Sequence, residues 1–225
     1  MIIDFHSHIL PNVDHGSKNI ESSLLQILLA RNAGVDIIVA TPHFYADHER
    51  LEQFLMRTQE AKSKLIQAIL PKQANFPQVL VGSEVLLFPG MNHMDGLHKL
   101  CIEKTNCLLV EMPYYSWDHN VLDTLTDMIN LEQYQIVLAH IDRYPTTERR
   151  KLTDFAVGYQ INASSVNRLL SYHHIKTYCK QNRVVALGSD IHGIDPKAYS
   201  DFARALTKLS SVSTIMENTR NMLGL

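Results

Sequence analysis

Cysteine is scarce and unpatterned in this chain. Cys101, Cys107 and Cys179 are odd in number and none belongs to a CxxC pair, so neither a disulfide framework nor a thiolate zinc site is expected. Free thiols in a reducing compartment are the expectation instead. An excess of one charge is also lacking. With 21 Lys and Arg against 23 Asp and Glu, the net charge of −2 provides no basic field for nucleic acid. No run of roughly 18 apolar residues exists, which excludes an apolar helical span. The opening MIIDFHSH lacks the basic start and long apolar core of a signal peptide. No membrane insertion is therefore expected. No P-loop or dinucleotide-type glycine fingerprint occurs. Repeats, low-complexity tracts and linker-like segments are missing too, so residues 1–225 are expected to form a single domain.

Histidine, by contrast, is plentiful, with 12 in 225 residues. Three of them, His6, His8 and His15, fall within the opening MIIDFHSHILPNVDHG. Their meaning depends on the elements around them. Short apolar runs at 1–5, 36–41, 78–84, 106–112, 134–140, 157–162 and 184–190 are apolar on both faces, as parallel strands covered by helices must be. Helical stretches lie between them. Leu24, Leu25, Leu28 and Leu29 predict a helix over 18–33 with Gly34 near its end. Residues 47–70 predict a long amphipathic helix stopped by Pro71. Further helices are predicted near 118–132, 146–155, 165–182, 197–209 and 213–222. This alternation implies an α/β fold with a parallel sheet or a barrel of βα units.

The titratable residues follow the same rhythm. His6 and His8 end the first strand, His43 (ATPHF) the second, Glu84 (VGSE) the third and Glu111 (LLVEMP) the fourth. His140 (VLAH) ends the fifth, and Asp190 and His192 (GSDIH) end the last. In a βα barrel these ends converge on one face, where active sites form. Alone, each residue is a common solvated or capping side chain. His48, His93, His98, His119, His173 and His174 are read that way, since they lie in helical or loop stretches. Six of seven strand ends carrying His, Asp or Glu is a different matter. The sixth strand ends in Asn162, which is read as structural. Imidazoles with carboxylates suit Mn, Fe, Zn or Co and disfavour an all-oxygen Ca or Mg cage. A carboxylate such as Glu84 can bridge two ions about 3.5–4 Å apart, the arrangement used in phosphoryl transfer.

Taken in order, DFHSH, ATPH, the glutamate after VGS, VLAH and GSDIH resemble the PHP (polymerase and histidinol phosphatase) family of metal-dependent phosphoesterases. More narrowly, HSHILPNVDHG, VATPHF, GSEVLL, LLVEMP, VLAHIDRYP and ALGSDIHG resemble the bacterial capsule and exopolysaccharide tyrosine-protein phosphatases of the CpsB type. The resemblance implies a distorted (β/α)7 barrel carrying three divalent ions, with Mn first in order and Fe, Zn, Co or Mg behind it. It implies a first ion held by His6, His8, Glu84 and Asp190. A second would take Glu84, Glu111 and His140, and a third His15, His43 and His192. At the position of His15 the capsule-type relatives usually carry aspartate, so a ligand is kept while its charge is lost. Asp14 is the alternative ligand there.

The resemblance also implies Arg143, His43 and His192 as catalytic residues. Arg143, in HIDRYP, would grip phosphate oxygens. Lys197 is the nearest match to a second family arginine, with a point charge in place of a bidentate fork. The implied reaction is hydrolysis of phosphotyrosine by direct attack of a metal-activated water. The implied partner is a phosphotyrosine protein, most naturally the tail of a polysaccharide-export tyrosine kinase. A cysteine-based phosphatase is excluded by counting, because the residues six positions after the three cysteines are Cys107, Pro113 and Val185, where that mechanism needs arginine. Rival readings are another phosphoesterase of the family, acting on histidinol phosphate or nucleotides, and a non-catalytic metal-binding module. Tyr114, Tyr115 and Trp117 are candidates for an aromatic wall, or equally for helix packing. Oligomeric state is left open.

Overall fold

The computed structural model describes residues 1–71 and 76–225. Its elements alternate along the chain: β1 (Ile3–His8), α1 (Ile20–Asn32), β2 (Ile37–Ala40), β3 (His43–Phe44), α2 (Leu51–Ile69), β4 (Gln78–Val81), β5 (Glu84–Leu86) and β6 (Cys107–Glu111). There follow α3 (His119–Asn130), β7 (Gln135–Leu138), α4 (Thr146–Lys151), β8 (Gly158–Asn162), α5 (Ala163–Val166), α6 (Leu169–Lys180), β9 (Val184–Gly188), β10 (Ile191–His192), α7 (Pro196–Lys208) and α8 (Val212–Leu223). No described helix is long and apolar enough to cross a membrane.

All seven sequence-predicted strands form, but the second, third and last are each broken in two. The breaks fall at Thr41–Pro42, Gly82–Ser83 and Ser189–Asp190. Pro42 has no N–H to give to a ladder, and Asp190 sits at φ 53°. The halves belong to different sheets. One sheet runs β10-β1-β2-β4 and the other β3-β5-β6-β7-β8-β9, every pairing parallel. Because three chain segments pass from one sheet into the other, the two sheets close into one distorted seven-stranded barrel. Backbone bonds carry the ladder across the seams: Gly82 N–H to Ala40 O (2.9 Å), Glu84 N–H to Pro42 O (3.0 Å) and Asp190 N–H to His6 O (2.9 Å).

The strands are buried on both faces because helices cover the outside, which is why Ile37–Ala40 and Cys107–Glu111 are buried throughout. Helix α1 forms where its leucines predict, yet it is rotated against them. Leu25 and Leu28 are exposed, while Ser22, Ser23, Gln26, Ile27 and Ala30 face inward. The rotation is set at the entry: the Asn19 side chain accepts from Ser22 N–H, and Ser23 Oγ lies 2.8 Å from Ser17 Oγ. The helix predicted over 165–182 is two, α5 and α6. Between them the Asn167 side chain donates to Asp201, tying the joint to α7.

Candidate metal centre

Side chains alternate across a strand, so His6 and His8, two apart on β1, point to the same side. That side is the mouth of the barrel. Register brings their partners in: His43 of β3 stands opposite Glu84 of β5. Glu84 occupies the centre. Its Oε2 lies 3.1 Å from His6 Nε2, 3.4 Å from His8 Nε2 and 3.0 Å from His43 Nδ1, while Oε1 lies 2.9 Å from His140 Nε2. Glu111 Oε1 is 3.3 Å from His140 Nε2, and Asp190 Oδ1 is 3.6 Å from His6 Nε2. All of these groups except Asp190 are buried.

The arrangement is strained for a protein without ions and natural for one with them. Two imidazole nitrogens, His6 Nε2 and His8 Nε2, face each other at 3.1 Å. Glu111 Oε2 and His192 Nε2 are buried with no hydrogen-bond partner, a costly state for a polar atom unless something else binds it. Donor atoms gather in three groups within 4.8 Å: His6, His8 and Asp190; His43, Glu84 and Glu111; and His8, His43 and His192. The residues present therefore fit divalent ions. The third group forms with His8. His15 is exposed, and its ring stacks on His43 (centroids 4.9 Å apart) and His192 (4.5 Å). Asp14 turns away from the donor groups. Its oxygens accept from His8 Nδ1 (2.7 Å), Gly16 N–H (2.8 Å) and His43 N–H (3.2 Å).

A second tier of residues orients the donors. By accepting from Nδ1 of His8, Asp14 fixes the ring so that Nε2 is left for a ligand. Gln160 does the same for His6: its Oε1 is 3.1 Å from Nδ1 and also accepts from His140 N–H at 2.6 Å. Asn162 Nδ2 donates to Asp190 Oδ2 at 2.8 Å, and Arg143 Nη1 donates to the same oxygen at 2.9 Å. Two donors sit on left-handed backbone, His140 at φ 33° and Asp190 at φ 53°. Such strain persists where surrounding contacts over-determine it. Here the Gln160 bond to His140 N–H and the His6 bond to Asp190 N–H supply them. Two glycines allow the close approach. A Cβ on Gly16 would lie 2.4 Å from His8 Cβ, and one on Gly188 would lie 2.6 Å from His6 Cβ.

Electrostatics follow from this packing. Burial would raise the Glu84 and Asp190 carboxyls, but the surrounding imidazoles outweigh it and hold both below the usual range. Asp14 is likewise held low, the His8 hydrogen bond overcoming burial. Burial and neighbouring His8 push His192 down to about 4. His192 is thus neutral at pH 7, and because its Nδ1 lies 3.0 Å from the Asp190 carbonyl oxygen, which can only accept, the lone pair falls on Nε2.

Beside the donors lies a cavity of about 470 Å³, with His15, Arg143, Asn162, Arg168, Asp190 and His192 in its walls. Lys197 is not among them. It is exposed in the first turn of α7, where its N–H binds Asp195. The aromatic candidates divide: Trp117 is buried against Tyr144, whereas Tyr114 and Tyr115 are exposed and Tyr114 Oη donates to Glu111 Oε1 at 2.7 Å. Sequence reasoning missed Gln160 and Arg168 and read Asn162 as merely structural. Gln160 did leave a signal, as the one amide in the middle of the apolar run VGYQIN.

The family model for capsular polysaccharide synthesis, CpsB/CapC, matches residues 2–211. Tyrosine-protein phosphatase CpsB of Streptococcus agalactiae serotype III (strain NEM316) is 26% identical over 243 residues, covering 99% of this chain and 98% of its own. Tyrosine-protein phosphatase YwqE of Bacillus subtilis (strain 168) is 28% identical over 145 residues, covering 63% of this chain and 55% of its own. Among solved structures, one from the work on YwqE of Bacillus subtilis and CpsB of Streptococcus pneumoniae, metal-dependent tyrosine phosphatases, superposes with a TM-score of 0.81 at 22% identity. That match covers 99% of this chain and 94% of the other. A TatD family hydrolase from Entamoeba histolytica shares the fold more distantly, with a TM-score of 0.58 at 10% identity, covering 98% and 97%.

Proposed function

The chain belongs to the CpsB/CapC family, and from that premise we propose that it is a metal-dependent protein-tyrosine phosphatase. The observation that carries this reading is Glu84, set between the imidazoles of His6, His8, His43 and His140 with unpartnered donor atoms around it. His6, His8, Glu84 and Asp190 would hold one ion, and Glu84, Glu111 and His140 a second. His8 has one nitrogen to give, since Asp14 takes the other. A third ion held by His43 and His192 would therefore draw on His15, whose ring already borders both. Manganese suits this mixed imidazole and carboxylate set. Bound divalent ions would supply an activated water near neutral pH and charge neutralisation on the phosphoryl oxygens.

The chain's own residues do the rest. Arg143 stands on the cavity wall with Nη1 on Asp190 and the remainder of its fork available for phosphoryl oxygens. Asn162 holds Asp190 from the other side. Tyr114, exposed and bonded to Glu111, is the aromatic candidate that would flank the substrate's phenyl ring. The substrate class is a phosphotyrosine protein in the cytoplasm, with a polysaccharide-export tyrosine kinase as the natural candidate and capsule synthesis as the process.

The test is turnover of a phosphotyrosine peptide, histidinol phosphate and nucleotides, with manganese and after chelation. Phosphotyrosine hydrolysis abolished by chelator and restored by manganese is the expected result. Activity indifferent to chelation, or preference for histidinol phosphate, would overturn it.

A further inference from the structure

Arg143 is already paired with Asp190, so part of its charge is spent within the protein. The same cavity has a second guanidinium in its wall, that of Arg168. Among the described residues Arg168 makes no ion pair, and it lies in the joint between α5 and α6. Its backbone is fixed on both sides: Arg168 N–H donates to Ser165 O at 3.1 Å, and Arg168 O accepts from Tyr172 N–H at 2.9 Å. The neighbouring Asn167 side chain donates to Asp201. A fixed backbone carrying an unpaired, exposed cation at the mouth of a site for anions is suited to an incoming charge. Leu169 and Leu170 follow directly, 86% and 85% exposed. Such exposure is uncommon for two adjacent leucines, and it places an apolar step beside the cation.

We propose that Arg168 is a specificity-determining residue that binds a second anionic group of the substrate peptide, carried on a residue flanking the phosphotyrosine. The ligand chemistry is a carboxylate or a further phosphoryl group, both of which match the guanidinium fork. The proposal rests on the tyrosine-phosphatase reading. Arg168 lies in the α5–α6 joint, apart from the segment after β7 that carries Arg143, and among the described residues it forms no ion pair with Asp190, so it meets the substrate beside the scissile group. In this arrangement the central chemistry belongs to Arg143 and the metal donors, and the choice of peptide belongs to Arg168.

The experiment measures kcat/KM of the manganese-loaded full chain on three peptides sharing one phosphotyrosine: one with neutral flanks, one with flanking glutamates and one with a second phosphotyrosine. Wild type is expected to favour an anionic peptide over the neutral one by roughly three- to tenfold, the range for a charge-assisted hydrogen bond near a surface. R168A should bring that ratio close to one, and R168E should invert it. Whichever anionic peptide loses its advantage identifies the group, carboxylate or phosphoryl. Higher salt should erode the wild-type preference, because the contact is exposed. A wild-type enzyme indifferent to both anionic peptides, or an R168A variant that keeps the full preference, would overturn the assignment. Wild-type turnover of the neutral peptide tests the phosphatase reading separately. Coincident circular dichroism spectra would show that R168A and R168E fold as wild type does.

Discussion

Gln160 Oε1 lies 3.1 Å from Nδ1 of His6, deep in the barrel, and so decides which nitrogen of that ring faces Glu84. The same oxygen accepts from His140 N–H, so one amide holds two donors from different strands. Replacing it with Leu keeps the volume and removes the acceptor. Gln160→Leu is expected to weaken manganese binding by roughly 10- to 100-fold, as loss of an orienting partner does. The His140 N–H left unsatisfied should cost about 1–3 kcal/mol of stability. Calorimetric titration and denaturant unfolding measure the two effects.

His15 discriminates between two arrangements of the third group. If it supplies the donor that His8 cannot, His15→Ala should lower the bound manganese by one ion per chain. His15→Asp should restore it. Elemental analysis of the purified variants reads this directly, and an unchanged metal content in His15→Ala would place the residue outside the coordination.

Loss of a central donor should silence the enzyme without unfolding it. His140→Ala or Asp190→Ala is expected to reduce turnover by about 10³ or more, with the far-ultraviolet circular dichroism spectrum retained. Surviving activity in both variants would contradict the proposed centre.

The two basic candidates should separate. Arg143→Ala is expected to raise KM for a phosphotyrosine peptide by about tenfold or more, through loss of charge-assisted bonds. Lys197→Ala, exposed on α7 and outside the cavity, should stay within about twofold of wild type, as surface substitutions do. Equal impairment by both would refute this division.

The metal-free protein should respond to pH through its histidines. Burial alone would lower His140, but Glu111 and Glu84 outweigh it and push it up to about 9. A histidine whose folded pKa lies above its unfolded value near 6.5 stabilises most below that value. Its contribution is lost as pH rises through about 9. Metal-stripped protein should therefore melt at progressively lower temperature from about pH 6.5 to 9.5. Added manganese, which competes with those protons, should raise the melting temperature more at the alkaline end. Differential scanning calorimetry with and without metal tests this. A metal-free melting temperature that rises over the interval would contradict the sign. In acid the trend reverses, because Asp14 and Asp190 are held below the ordinary carboxylate range and their stabilising contribution disappears as they protonate.

The donors themselves were legible in the sequence because their chemistry and their spacing are local properties. Short apolar runs ending in His, Asp or Glu announce strands whose ends carry ligands, and parallel strands in a barrel must bring like ends together. His6, His8, His43, Glu84, Glu111, His140, Asp190 and His192 could all be named on that ground. What each ring would turn toward was not local. Asp14, one residue before His15, is drawn to His8 and not into the donor groups, and its direction depends on a loop that crosses His8 at Gly16. Gln160 and Asn162 act on residues that are remote in sequence. The rotation of α1 depends on Ser17 and Asn19 before its first turn, against its own leucines. Arg168 reaches the cavity only because the predicted long helix breaks at Asn167. Residue types and strand periodicity, set by short-range sterics and burial, thus determined the fold and the donor inventory. Which side chains meet, which nitrogen is free and which cation faces the mouth were decided only by tertiary structure, because those contacts join strands brought side by side by barrel closure.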